Sequence, residues 1–412
     1  MDRTPRDAPL ICAAAFARAA AAGCIGVLLG ILLGNRGYPT ALIGGVVGLG
    51  IAGGAAMTAV VMRYADRVGR RRTLIVLSLV SAAGIAGIVI APTAGLLLLV
   101  AFAGMVNGMG RDRGPAGTLE QAMLPATTTA AGRTWALAWY NVVLDAGHAI
   151  GAAVAALPAL LQSNGWRQAD AHRAVFFGCA IAVAITGIAY SLCSPVVEPT
   201  ETPATTATGR DPVVRKRVFR IAWLFGIDSV GGGFLSSALV AYWFLHRYGI
   251  SEAAVAALFF GARILNAVSH VGAAWLAKRF GLLNTMVFTH LPSSLFLLAA
   301  PLSPSAPLAA ALFLAREGLV EMDVPTRQSY VMAVVPPADR TFASGLTNLT
   351  RTGGWAAGAA MAGTAMQQIT LAAPLVMGGV LKIAYDIVLY RSFRHVRPPE
   401  EQPRQAASGT VA

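Results

Sequence analysis

Long apolar runs, separated by short polar segments, repeat along the whole chain. Runs such as 9–34 and 73–91 hold at most one charged residue and are long enough to cross a bilayer as a helix. The pattern predicts an all-α membrane protein with twelve transmembrane helices. Their predicted bounds are 9–34, 40–62, 73–91, 95–123, 134–161, 174–194, 217–245, 251–277, 283–300, 308–334, 341–367 and 371–394.

The composition agrees with this interpretation. Hydrophobic residues make up 56% of the chain and charged residues 12%, whereas soluble proteins carry roughly 25% charged residues. The four cysteines lie in or beside apolar runs, at spacings that match neither a metal site nor a disulfide framework. We therefore expect no metal, no cofactor and no catalytic residues. We also expect no removable signal peptide, because the first apolar run begins a series.

Basic residues are distributed unevenly between the two sides of the predicted membrane. Twelve spans put both termini on one side, and the loops and termini of that side carry 19 Lys and Arg residues, against four on the other side. Cytoplasmic loops are enriched in Lys and Arg, so both termini are predicted to be cytoplasmic. The net charge of +13 therefore indicates membrane topology, and we expect no nucleic-acid partner.

The two halves of the chain resemble each other. The segment 133–153, RTWALAWYNVVLDAGHAIGAA, aligns with 340–360, RTFASGLTNLTRTGGWAAGAA, at a constant offset. Such internal repeats are typical of transporters built from two related bundles. The predicted divisions are an N-terminal six-helix bundle over 1–194, a cytoplasmic linker over 195–216, a C-terminal six-helix bundle over 217–397 and a disordered tail over 398–412.

The polar segment 63–73, RYADRVGRRRT, lies between the second and third predicted spans. It resembles the cytoplasmic loop signature of the major facilitator superfamily, G-x-x-x-D-R-x-G-R-[RK], with Met62 in place of the leading Gly. The matching residues are Asp66, Arg67, Gly69, Arg70 and Arg71. The resemblance implies two pseudo-symmetric six-helix bundles and a conformational latch, in which the Asp meets the start of the eleventh helix. The alternative is a basic loop that serves topology alone.

Charged residues also occur inside the predicted spans, where they are costly and normally face a cavity or one another. They concentrate in the fourth span, GRDRGPAGTLEQ, and in the tenth, AREGLVEMDVPTRQ. Our candidates for a substrate cavity are Arg18, Arg111, Asp112, Arg113, Asn141, Asp228, Arg316, Arg327 and Asn348. Further candidates are Arg263, His270 and Arg351. The alternative is a set of structural ion pairs that hold the halves together.

Three acids of the tenth span, Glu317, Glu321 and Asp323, are candidates for proton coupling. A carboxylate among apolar helix faces can change its protonation when its basic neighbour moves away. Asp145 and His148, one turn apart in the fifth span, form the other candidate group. They also suit a satisfied polar pair in a helix interface.

The chain has no G-x-x-x-x-G-K-[ST] segment, so we expect a secondary transporter that does not use ATP. The resemblance and the charged spans predict proton-coupled efflux of a small organic solute. Uptake or facilitated passage of an organic anion is the alternative, and a membrane receptor or enzyme on this scaffold is an alternative of another class. The expected setting is a bacterial inner membrane, with the chain as a monomer in the lipid bilayer.

Overall fold

The computed structural model describes residues 6–112, 114–128, 133–198, 212–323, 327 and 340–394. These residues form helices joined by short connections, with no strand among them. In chain order the α-helices are α1 (Asp7–Asn35), α2 (Thr40–Val68), α3 (Arg70–Ile90), α4 (Ala94–Ala103), α5 (Pro115–Met123), α6 (Arg133–Val154), α7 (Leu157–Ser163), α8 (Gln168–Ser191), α9 (Pro212–Gly233), α10 (Ser237–Tyr248), α11 (Glu252–Phe280), α12 (Leu282–Ala299), α13 (Ala306–Val320), α14 (Arg340–Gln368) and α15 (Ala373–Phe393).

The predicted fold class is confirmed by these helices. In the described part of the chain, nine helical segments are long and apolar enough to cross a membrane. Three predicted spans remain: α4 with α5 corresponds to the fourth, α13 to the first part of the tenth, and the long helix α14 to the eleventh. The order of helices is therefore consistent with twelve spans.

The fourth span was predicted as one continuous helix over 95–123, and this prediction is wrong. Helix α4 ends at Ala103 and α5 begins only at Pro115. Between them Met105 and Gly110 have φ angles of 54° and 70°, which a right-handed helix does not allow. Pro115 has no amide hydrogen to give to a preceding turn, and it occupies the start of α5 where none is needed.

Other predicted bounds also need correction. The seventh span, predicted over 217–245, is interrupted between Gly233 and Ser237, where consecutive glycines weaken the helix. The fifth span is interrupted after Val154, before α7 begins next to Pro158. The second helix continues to Val68, so the first part of the loop signature is helical.

The two halves pack tightly at the end of the molecule where α1 ends and α2 begins. A Cβ atom at Gly44 or Gly48 of α2 would lie 2.7 Å from a carbonyl oxygen of α14, so these glycines allow the two backbones to approach closely. Further along the same helices, a Cβ atom at Gly54 or Gly353 would meet nothing within 4 Å. Helices α2 and α14 therefore contact each other at one end, and toward the other end they separate around a cavity that Gly54 of α2 and Arg351 of α14 both line.

The hydrophobic core shows the same asymmetry. One large cluster includes buried side chains of both halves, such as Leu28 and Phe176 with Trp243 and Phe259. At the end where α1 begins, the core consists of two separate clusters, one for each half. Among the described residues, the halves therefore share a core at one end only.

Candidate functional site

A cavity of about 210 Å³ lies between the halves and is lined by both of them. Its lining includes seven basic side chains: Arg18, Arg111, Arg263, Arg316, Arg327, Arg351 and Lys382. The acidic side chains of the lining are Asp112, Asp228, Glu317, Glu321 and Asp323, and His290 joins them. Ion pairs and hydrogen bonds divide most of these groups into three clusters.

The first cluster belongs to the N-terminal half and is centred on Glu120, which is fully buried. Arg18 donates to both oxygens of Glu120 at 2.9 and 2.6 Å and to Asp112 at 2.6 Å. The hydroxyls of Tyr140 and Tyr190 also donate to Glu120, at 2.7 and 2.5 Å. Such a fully satisfied carboxylate is a rigid anchor, because any loss of a donor leaves a buried charge without a partner.

The second cluster joins the two halves across the cavity. Arg111, in the interruption of the fourth span, forms a 2.6 Å ion pair with Glu321 at the end of α13. It also donates to the side-chain oxygen of Asn266 at 2.5 Å. Asn266 in turn donates to the carboxylate of Glu317 at 2.9 Å, and Glu317 contacts Arg316. This pairing therefore links the fourth span, in the N-terminal half, to α11 and the tenth span in the C-terminal half.

The interruptions of the fourth and seventh spans are hydrogen bonded to each other. The backbone amide of Ala238 donates to the carbonyl of Gly108 at 3.1 Å. The Ser237 hydroxyl donates to the carbonyl of Met109 at 2.8 Å, and Arg263 donates to that hydroxyl at 3.0 Å. Irregular backbone inside a membrane protein needs such partners, because lipid offers none. These contacts hold the segment that presents Arg111 to the cavity.

The third cluster belongs to the C-terminal half. Asp228 of α9 accepts from Lys382 at 2.8 Å and from Arg327 at 2.9 Å. Arg327 also lies 3.2 Å from Asp323. His290 of α12 completes the cluster and is buried between α9 and α15. All these side chains are at least nine-tenths buried, so each charge depends on its partners within the cluster.

A family model of the Major Facilitator Superfamily matches residues 11–359. This chain belongs to that superfamily. It is therefore a multi-pass membrane transporter of some solute and not an enzyme, and the family suggested by the loop signature is confirmed.

Similar proteins cover nearly the whole chain. Uncharacterized membrane protein YJR124C of Saccharomyces cerevisiae is 24% identical over 422 residues, covering 93% of each chain. The structure of the nucleoside transporter NupG has a TM-score of 0.72 at 14% identity and covers 94% of this chain and 98% of that one. A D-xylose-proton symporter has a TM-score of 0.70 at 15% identity, covering 94% and 96%. At these identities the solved structures indicate the superfamily fold alone.

Most of the predicted cavity residues line the cavity of this superfamily member, but two of them do not. Asn141 and Asn348 are exposed and absent from the lining. The side chain of Asn141 donates back to the carbonyl of Leu137 in its own helix, at 3.1 Å. Arg113 lies outside the described residues, as does the side chain of His270.

Asp145 and His148, the alternative proton-coupling pair, lie on α6 beside the interruption of the fourth span and not with the acids of the tenth span. His148 accepts from the backbone amide of Asp112 at 2.7 Å, so it supports the interruption of the fourth span. Asp145 lies near enough to Arg111 and Arg263 to interact with both electrostatically. Of the tenth-span acids, Glu317 and Glu321 belong to the cluster that joins the halves, and Asp323 belongs to the C-terminal cluster.

The superfamily loop signature contacts neighbouring parts of the N-terminal half. Asp66 forms a 2.7 Å ion pair with Arg70, and Arg71 donates to the carbonyl of Ser191 at 2.6 Å. Glu198 accepts from the backbone amides of Arg70 and Arg71 at 2.7 and 3.1 Å. The other two signature residues, Arg67 and Gly69, lie between Asp66 and Arg70 in the sequence. The side chains at 340–342, where the latch partner was expected, lie outside the described residues.

Six residues that hydrogen bond within the two buried clusters were not predicted from the sequence: Glu120, Tyr140, Tyr190, His290, Lys382 and Asp386. A signal was available for three of them. Glu120 is an acid in an apolar stretch, and Lys382 precedes Asp386 by four residues in the last span, which places both on one helix face. The two tyrosines and the histidine are recognisable only from the folded arrangement.

Proposed function

We propose that this transporter is a secondary active carrier that moves a small organic solute by alternating access, with protons as the coupling ion and export as the direction. The observation that carries this proposal is the charged cavity shared by both halves, with Arg111 and Glu321 paired across it. Acids whose basic partners belong to the opposite half change their environment whenever the halves move. This supports Glu321 as a coupling candidate directly, and Glu317 through Asn266, which bonds to Arg111. Asp323, the third candidate, pairs with Arg327 within the C-terminal half.

The conformation supports alternating access. The halves share a hydrophobic core at one end and have separate cores at the other. With the termini in the cytoplasm, as the distribution of Lys and Arg predicts, the cavity faces the cytoplasm. The motion proposed is a rocking of one bundle against the other about the cavity. Within this motion, the loop signature around Asp66 acts as the latch of the opposite, outward-facing state.

A second candidate function is uptake or facilitated passage of an organic anion. It is favoured by the seven basic side chains of the cavity lining, against five acidic ones. Arg263 is one of them: it donates to the neutral hydroxyl of Ser237, and the carboxylates of Asp145, Glu317 and Glu321 lie within electrostatic range. A human organic anion transporter, MFSD10 (TETRAN), is among the structural neighbours, with a TM-score of 0.59, 15% identity and coverage of 93% of this chain and 99% of that one.

The finer setting is also proposed. We infer a monomer with both termini in the cytoplasm. A bacterial inner membrane is our proposal for its location, although the similar protein of Saccharomyces cerevisiae shows that related chains occur in a eukaryote.

The test uses proteoliposomes and three labelled probes: uridine, D-xylose and benzoate. An inside-acidic or inside-alkaline pH gradient is imposed, and accumulation of each probe is compared with liposomes without a gradient. Accumulation of one probe above its external concentration, in one gradient direction only, supports proton coupling and gives the direction of transport. Equal equilibration of that probe with either gradient or none contradicts proton coupling and supports facilitated passage.

A further inference from the structure

His290 lies in the C-terminal cluster between a carboxylate and an ammonium group. Its Nδ1 is 3.0 Å from both carboxylate oxygens of Asp386. Its Nε2 is 3.3 Å from the Nζ of Lys382 and 3.9 Å from Oδ1 of Asp228. The same Asp228 oxygen accepts from Lys382 at 2.8 Å. The histidine is 1% exposed, so these groups replace water as its partners.

These partners define the protonation state of His290 in this conformation. An ionised carboxylate can only accept, so Nδ1 carries a hydrogen and donates to Asp386. A lysine ammonium can only donate, so Nε2 is an acceptor for Lys382. These partners assign His290 the neutral tautomer with its hydrogen on Nδ1.

The cluster has room for one more proton. Its ionisable groups are Asp228 from α9, Lys382, Tyr385 and Asp386 from α15, and Asp323 with Arg327 beyond α13. Among the residues that the structure describes, the three carboxylates of this cluster outnumber its two permanent cations by one when His290 is neutral. A buried cluster with an unbalanced charge is costly, and one proton on His290 would balance it.

We propose that His290 is a binding site for the coupling proton, and that its protonation releases Lys382 to bind an anionic solute. A hydrogen on Nε2 cannot face the ammonium at 3.3 Å, so the Lys382 contact must break. Asp228 is the acceptor available to the new N–H, and it stays bound to Arg327 through its other oxygen. Lys382, which lines the cavity, then presents its charge to the solute.

The consequence is that proton and anion favour each other's binding. An anion that holds Lys382 in the cavity leaves Asp228 free to accept from protonated His290, and the coupling is reciprocal. The solute class is an anion with a carboxylate or phosphate group. This inference rests on the proton coupling of the proposed function, and it favours proton–anion symport, the uptake candidate, over export.

The primary test is ¹⁵N NMR of the full-length, ¹⁵N-histidine-labelled protein in lipid nanodiscs. The His290→Gln variant assigns the His290 signal, and His246→Gln, at an exposed histidine outside the cluster, is the matched control. Between about pH 8 and pH 5.5, around the range where histidines titrate, we expect the signal to change from the Nδ1–H neutral form to imidazolium. A signal that keeps one form throughout this range overturns the proposal.

The linkage to the anion is tested in the same sample at fixed pH. Benzoate and phenyl phosphate are the anionic probes, and D-xylose is the neutral one. At least one anionic probe should move the His290 signal toward imidazolium in the wild type, and Lys382→Gln should abolish this response. A response to neither anionic probe, an equal response to D-xylose, or an unchanged response in Lys382→Gln overturns the linkage.

Transport separates this inference from the proposed function. A wild type that concentrates none of the probes under a pH gradient contradicts proton coupling, while the NMR titration still decides the role of His290. A wild type and a His290→Gln variant that both concentrate the same probe contradict the inference alone. The inference predicts that His290→Gln loses uphill transport and keeps exchange of labelled for unlabelled probe, because exchange moves no net proton.

Discussion

The Arg111–Glu321 ion pair joins the two halves, so its removal should shift the conformational balance. The N–O distance is 2.6 Å, and the side chains are 21% and 11% exposed. Exposed ion pairs contribute about 0–1 kcal/mol, whereas removing one partner of a fully buried pair costs about 3–5 kcal/mol, and this partly exposed pair lies between the two. We expect Glu321→Gln to cost the present conformation about 2 kcal/mol, which corresponds to roughly a 30-fold change in population.

The double variant gives the sharper expectation. Either single substitution leaves a charge in the cavity without its partner, whereas replacing both removes the pair together. The shift in Arg111→Gln/Glu321→Gln should therefore be smaller than the sum of the two single shifts. Asp170→Asn is the matched control, because the Arg167–Asp170 pair has a similar distance of 2.8 Å but is exposed to 81% and 37%. Exposed pairs contribute about 0–1 kcal/mol.

The assay is pulsed electron paramagnetic resonance on spin labels at Tyr64 of α2 and Leu349 of α14. Both positions are exposed and lie in the part of these helices where they diverge. The distance distribution reports the populations of the conformers directly. Strictly additive shifts in the two single variants, or no shift in either, would refute the idea that this pair couples the halves.

Three further changes test other parts of the structure. Asp66→Asn should weaken the latch and change cysteine accessibility at both membrane faces, whereas unchanged accessibility and transport would leave the signature with a topological role only. Gly363→Val should separate α2 from α14, because its side chain would collide with the carbonyl of Thr40. We expect lower thermal stability and opening of the closed end, and an unchanged distance between α2 and α14 there would contradict the packing account. Glu120→Gln leaves Arg18 with a weaker partner in a buried site and should lower the unfolding temperature in detergent, which Asp170→Asn should not do.

The fold was largely predictable from the sequence, because a membrane span depends on the apolar content of a single local segment. Interruptions depend on partners elsewhere in the chain. The fourth span is broken at Gly110 because Ser237 and Ala238, more than a hundred residues away, provide hydrogen bonds to its irregular backbone. Gly110 and Pro115 indicate that this span has a low helix propensity, but they do not indicate that its helix is interrupted.

The site was only partly accessible from sequence for a related reason. Charges in the fourth and tenth spans were conspicuous because they occur in groups, and both spans do contribute to the cavity. His290 is isolated in its own span, and only the packing of α12 against α15 brings it to Asp386. Asn141 and Asn348 occupy equivalent positions in the aligned repeats, and such an alignment reports the symmetry of the halves and not the direction of a side chain.

Reciprocal movement of the two ends tests the central claim most directly. In the closed end, the backbone amide of Ala41 donates to the side chain of Gln367 at 3.2 Å, which makes these positions a second label pair. Pulsed resonance distances for this pair and for Tyr64–Leu349 are compared in liposomes at about pH 8 and about pH 5.5, on either side of the ordinary histidine pKa. Alternating access predicts that the 41–367 distance lengthens as the 64–349 distance shortens. The fraction of molecules open at one end should rise in proportion to the fraction closed at the other. Distances that stay fixed, or that lengthen together at both ends, would contradict it.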